Sequence, residues 1–168
     1  VGVSFELRTL KEAVHSGSYG GVFPDALTAM IRLLATLHDE DGCVAIPGLV
    51  SEEVGGIDVP EALARELAGC VDGLEQIGTG SIPSRIWTRP AVSILALDAP
   101  PVSEAINQLV PVARAKVSLR TAPGQDTNAA AEALKTHLME NAPWGTRLEF
   151  FHEEQGDATA LDMDTFAV

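Results

Sequence analysis

Arg114, Lys116 and Arg120 fall on alternate positions of the run Val112 to Thr121, with Ser118 between the last two. A strand there puts them on one face and Ala113, Ala115, Val117 and Leu119 on the other. Three cations together on a chain of net charge −13 have two readings. They are a solvated face laced with ion pairs, or a surface that recognises carboxylates or other anions. A second suggestive stretch is His15-Ser16-Gly17-Ser18-Tyr19-Gly20-Gly21, where the glycines demand a turn or loop beside a single imidazole. Other groupings look rich in metal ligands. His38-Asp39-Glu40-Asp41 falls where a helix runs out into a glycine turn, and it reads as a solvated helix end. His152-Glu153-Glu154 closes a strand and has no partner at metal spacing. Cys43 and Cys70 are too few for a disulfide framework and read as small packed residues in a reducing, cytoplasmic setting. Trp87 and Trp144 carry no expectation beyond packing.

The composition narrows the function classes. With 168 residues, 46% of them hydrophobic, the chain has the length and apolar content for one ordinary domain with a real core. Only 5% are aromatic, so Val, Leu, Ile and Ala must fill that core. The 11 Lys and Arg against 24 Asp and Glu argue against nucleic acid and anionic membrane surfaces as partners, since both are bound through cations. No run approaches the roughly 18 apolar residues of a membrane span. The sequence starts at Val1 and enters a strand pattern at once, which is expected of a segment of something longer.

The elements that must position these residues follow from periodicity. Val3, Phe5 and Leu7 alternate with Ser4, Glu6 and Arg8 as a strand buried on one face. Pro24 suits a first helical position, with Asp25 in the first turn, and Leu27, Met30, Ile31, Leu34 and His38 form a helical stripe. Residues 39–90 are broken up by glycine and proline and read as an insertion, with one short helix at Pro60 to Ala68 opened by Asp58. Ala91 to Leu97 is an apolar run fit for a buried strand, and Val112 to Thr121 is the clearest strand. Asp126 to Asn141 is a second helix with Ala130, Ala133, Leu134, His137 and Leu138 inward, and Thr146 to His152 is the last strand. Strand, helix, insertion, strand, strand, helix, strand predicts an α+β fold. It is a ferredoxin-like four-stranded antiparallel sheet with two helices on one face and an insertion between helix 1 and strand 2.

Two motifs on that frame resemble one family. His15 to Gly21 followed by Val22-Phe23-Pro24-Asp25-Ala26 resembles the strand-to-helix loop in the lid domain of the dinuclear-zinc metallopeptidases. That family includes carnosinase-like dipeptidases, acetylornithine deacetylase and succinyl-diaminopimelate desuccinylase. Asn107-Gln108-Leu109-Val110-Pro111 and Ala113 to Arg120 resemble its second lid signature, an Asn or Thr before a Val-Pro or Ile-Pro step and an Arg thirteen residues on. The resemblance covers most of residues 1–155, and the 39–90 insertion is similar to one in the dipeptidase branch.

The resemblance implies that residues 1–155 are a lid and dimerisation domain, and that 156–168 return toward a catalytic domain absent from this chain. It implies a catalytic role for His15, reaching from one subunit into the active site of the other to stabilise the oxyanion of the tetrahedral intermediate. Gly17, Gly20 and Gly21 would shape the loop that projects the ring. It implies that Arg120 binds the substrate carboxylate and that Asn107 contacts the substrate or the reacting oxygen. The two zinc ions would belong to the catalytic domain and none to this segment. Glu52-Glu53 mimics the family's Glu-Glu pair, but that pair precedes the His-Ser-Gly loop and this one follows it. The expected partners are a second copy of the chain, the catalytic domain of the same polypeptide and a dipeptide or N-acyl amino acid, and the segment alone is expected to be inactive. The homodimer is expected to form through a sheet edge and through Leu27, Ile31 and Leu34 of helix 1, unless those residues face only their own sheet. A different class of function stays open. The Arg114, Lys116 and Arg120 face of a free-standing ferredoxin-like module could bind an amino acid, or the module could serve oligomerisation alone.

Overall fold

A computed structural model describes residues 1–156. Chain order runs β1 (Gly2–Arg8), β2 (Val14–His15), α1 (Ser16–Tyr19), α2 (Ala26–Ala35), α3 (Glu61–Ala68), α4 (Ile82–Trp87), β3 (Ala91–Asp98), β4 (Gln108–Leu109), β5 (Val112–Arg120), α5 (Thr127–Glu140) and β6 (Arg147–Glu154). The alternation of Val3, Phe5 and Leu7 does what a period of two requires, and all three are buried. β1 lies between two antiparallel neighbours. Gly2 stands opposite Ser118 of β5 and Glu154 of β6, and Arg8 opposite Val112 and Arg147. β3 flanks β5, with Ala91 opposite Arg120 and Asp98 opposite Arg114. The order β3-β5-β1-β6 is the expected four-stranded antiparallel sheet, and β2 and β4 form a separate two-stranded ribbon.

The core lies on one face of that sheet. Phe5, Leu7, Val117 and Leu119 pack with Met30 and Leu33 of α2 and with Leu134 and Leu138 of α5. Each such side chain contributes about 1.5–3 kcal/mol through its removal from water. Asp126 caps α5 by accepting from the Ala129 N–H at 2.7 Å. The segment from 39 to 90 leaves the frame after α2 and rejoins it at β3, and it holds both α3 and α4.

Several local expectations are corrected. α2 is capped by Asp25, whose Oδ1 accepts from the Thr28 N–H at 2.8 Å, so Pro24 precedes the helix and Asp25 is not in its first turn. Its buried face is Ala26, Ala29, Met30, Leu33 and Leu34, and Ile31 is 53% exposed. Met30 and Leu34 of the expected stripe are inward as predicted, but Ala26, Ala29 and Leu33 complete the seam in place of Ile31, which a stripe drawn through the larger side chains includes. α3 has Pro60 at its N-cap with no side-chain cap, so Asp58 does not open it. α4 was not expected from the spacing. Ser81 caps it with Pro83 in its first turn, because capping chemistry can start a helix too short to show a period.

The largest correction concerns β3. Its apolar run is not a buried strand: Ile94, Leu95 and Leu97 are exposed, and the register shifts between Ile94 and Ala96. Among the described residues β3 is paired only with β5, and the helices cover the middle of the sheet rather than this edge. β6 runs to Glu154 rather than stopping at His152. The return segment expected over 156–168 lies, from residue 157 on, outside the described residues.

Candidate functional site

His15 ends the short strand β2 and is the N-cap residue of the single turn α1. Its ring is what caps that turn, since Nδ1 accepts from the Gly17 N–H at 3.0 Å. A backbone N–H can only donate, so Nδ1 holds a lone pair and the neutral ring carries its proton on Nε2. The residue is exposed, so that Nε2–H is available to a partner. The stretch is therefore not wholly loop: an imidazole fixes the helical turn, and the turn fixes the imidazole's tautomer.

The glycines serve this geometry for different reasons. A Cβ on Gly17 would stand 2.9 Å from Cε1 of the His15 ring, closer than carbon atoms pack. A Cβ on Gly20 would overlap the Ser16 carbonyl, which accepts from the Gly20 N–H. Gly21 has φ +84, in the left-handed region, with open space around it. Asn107 is brought to the same place. His15 pairs with Gln108 across the β2–β4 ribbon, and the Ser16 N–H donates to the Asn107 carbonyl at 3.0 Å. Leu109 anchors this ribbon in the interior.

Arg120 is elsewhere. It ends β5 opposite Ala91, whereas the ribbon joins the other end of β5 through Val110 and Pro111. Over its nine residues β5 covers about 26 Å. One amino group of Arg120 donates to the Arg85 carbonyl at 2.6 Å and the Arg89 carbonyl at 3.4 Å. No carboxylate lies in ion-pair range of it among the described residues. Burial alone lowers its pKa from the usual value, with nothing acidic beside it to offset that. It borders a groove of about 630 Å³ whose walls include Leu74, Ile77, Ile82 and Ile86.

The other two cations of the face do not join it. Arg114 pairs with Glu6 at 2.8 Å, and Lys116 with Glu154 at 2.8 Å. Desolvation pushes the Glu6 carboxyl up, but hydrogen bonds and charge from Arg114 and Arg8 outweigh it and hold the group below the usual carboxylate value. Glu154 is held low by Lys116 first and then by His152. For Arg114 and Lys116 the ion-paired face is the reading that holds. Arg120 alone keeps an uncommitted charge, under the edge of α4.

The acidic clusters are spoken for locally. Asp39 Oδ1 accepts from the N–H groups of Asp41 and Cys43, closing a turn. Glu53 pairs with Arg89 at 2.7 Å and accepts from the Ser81 N–H at 2.9 Å. His152 contacts Glu154 at 2.9 Å. Among the described residues no group of three His, Cys, Asp or Glu side chains converges as a metal site would require. No helix there is long and apolar enough to cross a membrane. Sequence reasoning missed Ser84, fully buried, whose Oγ accepts from the Val54 N–H at 2.8 Å and lies 2.7 Å from the Ser81 Oγ. The Ser81-x-x-Ser84 spacing was the available signal, hidden among glycines.

Comparison with known proteins gives a consistent result. The family model described as the peptidase dimerisation domain matches residues 2–146. A cysteinylglycine-S-conjugate dipeptidase of Corynebacterium striatum is 32% identical over 148 residues, covering 86% of this chain and 32% of that protein. The solved structure of the dipeptidase Dug1p from Saccharomyces cerevisiae superimposes with a TM-score of 0.67 at 19% identity, over 89% of this chain and 34% of that one. Human carnosine dipeptidase 1 does so with a TM-score of 0.65 at 18% identity, over 89% and 35%. At these identities the structures establish the shared fold. The chain spans about a third of the length of the curated relatives it matches.

Proposed function

The chain belongs to the peptidase dimerisation domain family, and on that premise we propose that it is the lid and dimerisation domain of a zinc-dependent dipeptidase or related amidohydrolase. In this reading residues 1–155 are inserted into a catalytic domain outside this chain. The zinc ions belong there. The described residues offer no donor set that fits a metal, and they contribute a hydrogen-bond donor, a cation and a dimer surface.

One observation carries the reading: the Gly17 N–H occupies Nδ1 of His15 and leaves an exposed Nε2–H. Such a donor, fixed before the substrate arrives, stabilises negative charge on a carbonyl oxygen more in the transition state than in the ground state. Asn107, held beside it, would contact the substrate or the same oxygen. Arg120 would take the terminal carboxylate through its planar fork. His15 and Arg120 lie toward opposite ends of a strand about 26 Å long, much more than a dipeptide spans. If both touch one substrate they come from two chains, so His15 and Asn107 act in trans.

The dimer surface is the β3 edge. Ile94 and Leu97 stand opposite Val117 and Ala115, on the face that carries the helices, and the unpaired side of β3 is a template for a second copy. Ile31, outward on α2, can join this surface, whereas Leu34 faces its own sheet.

The test uses the full-length enzyme. His15→Ala and Arg120→Ala homodimers should each be impaired. Co-expressed, they should recover about a quarter of wild-type activity, because half of the dimers then hold one intact site. No recovery above the two parents would rule out the trans arrangement. Calorimetry offers the contrasting reading, an amino-acid-binding module, its own trial: stoichiometric binding of free amino acids to this chain alone would favour it.

A further inference from the structure

We propose that the segment between α2 and β3 is a positioning element for the carboxylate-binding site: the end of α4 grips one amino group of Arg120 and thereby aims the rest of its fork. This rests on the reading of Arg120 as the ligand of the substrate carboxylate. The physical basis is at the C-terminus of a helix, where the last carbonyls have no partner within the helix. The N–H groups of Thr88 and Arg89 both return to the Ser84 carbonyl, which leaves the Arg85 carbonyl free. The Arg120 guanidinium satisfies it at 2.6 Å, with the Arg89 carbonyl as a longer second acceptor at 3.4 Å. A cation is also what the negative end of a helix favours.

The grip falls on one terminal nitrogen only. Nε and the other terminal nitrogen make no hydrogen bond among the described residues, and Arg120 borders the groove, where Leu74, Ile77, Ile82 and Ile86 stand with Glu61, Arg65, Glu75 and Arg85. A long flexible side chain thus presents one edge of its fork, already oriented, beside the groove. α4 can do this only if it is itself held. Ser84 is fully buried and ties α4 to Val54, while Glu53 bridges the start of α4 at Ser81 to Arg89 just beyond its end. Thr88 and Glu52 add reciprocal bonds, from the Glu52 N–H to the Thr88 carbonyl and from the Thr88 hydroxyl to the Glu52 carbonyl. Ser84 and Glu53 are therefore positioning residues, neither of which touches the substrate.

The experiment measures kcat and KM of the full-length, metal-loaded enzyme for a dipeptide and for the same dipeptide with its C-terminus amidated. Glu53→Gln and Ser84→Ala should raise KM for the dipeptide by about 3- to 10-fold, with kcat held within about twofold and KM for the amide unmoved. Glu53→Gln, at a partly exposed residue, decides the matter if Ser84→Ala does not fold. Arg120→Ala is the reference. If it raises KM for the dipeptide and the two positioning variants do not, the grip on Arg120 is irrelevant and the proposal fails. A rise for dipeptide and amide alike marks a merely structural role and also overturns it. If Arg120→Ala itself leaves KM unchanged, the carboxylate reading is what has failed, and the positioning role falls with it.

Discussion

The two ends of the central sheet solve the same problem, holding a polar side chain ready at a surface, in opposite ways. At one end His15 is fixed within five residues of its own loop, by a bond from the Gly17 N–H to its ring. At the other, Arg120 is fixed by carbonyls more than thirty positions away in sequence, one in α4 and one just past its end. The local device depends on absent side chains, since Gly17 leaves room for the ring. The remote device depends on a network through buried Ser84 and partly exposed Glu53. The difference teaches that the insertion between α2 and β3 supports the Arg120 end, and that substitutions at the two ends should alter different kinetic constants.

The sharpest way to break this contrast is to remove each side chain from the full-length enzyme. His15→Ala should lower kcat by about 100- to 1000-fold with little change in KM, the cost of losing one oxyanion donor. Arg120→Ala should act mainly on KM, by about 10- to 100-fold, the worth of hydrogen bonds to a charged group. Steady-state kinetics that show both acting on the same constant would dissolve the distinction. Gly17→Ala probes the local device without touching the imidazole. The added methyl displaces the ring, so kcat should fall by about tenfold while the melting temperature stays within a few degrees. An unchanged kcat would mean that the ring need not be held by α1.

How much of this could be read in advance follows the same division. Short-range signals were legible: the alternation of β1 and β5 and the helix beginning near Asp126, because each is set by residues close in sequence. The spacing of Asn107 and Arg120 marked both as special but did not show that they sit at opposite ends, since an extended strand turns thirteen positions into a separation. Composition alone could not say that the apolar run of β3 lies at an edge, for an apolar run at the rim of a sheet reads like one in the core. α4 and its grip on Arg120 depend on contacts across 31 to 35 positions, which periodicity cannot register.

The smallest expected effect concerns the charged face between the two ends. Glu6 and Glu154 are both held below their usual value of 4.5. A carboxyl lowered by folding contributes stability that is complete above its unfolded value and is lost as pH falls through the folded one. The melting temperature of the protein should therefore be level down to about pH 5 and then drop by several degrees toward pH 3. Glu6→Gln should flatten part of that slope. A melting temperature that rises on acidification would contradict the ion-paired reading of this face.

The pairing of Gly2 with both Ser118 and Glu154 has a mechanical consequence. In a larger polypeptide entered through β1 and left through β6, both covalent links would meet at one corner of the sheet, and that corner would be the natural pivot for any swing. Arg120 lies beside it, next to Val1, whose carbonyl accepts from the Leu119 N–H. His15 lies past the far end of β1, about 20 Å along the strand. A swing of about 10° therefore carries the imidazole through roughly 3–4 Å on that lever arm and leaves the guanidinium almost where it was. In such a swing one polar group would travel and the other would mark the axis.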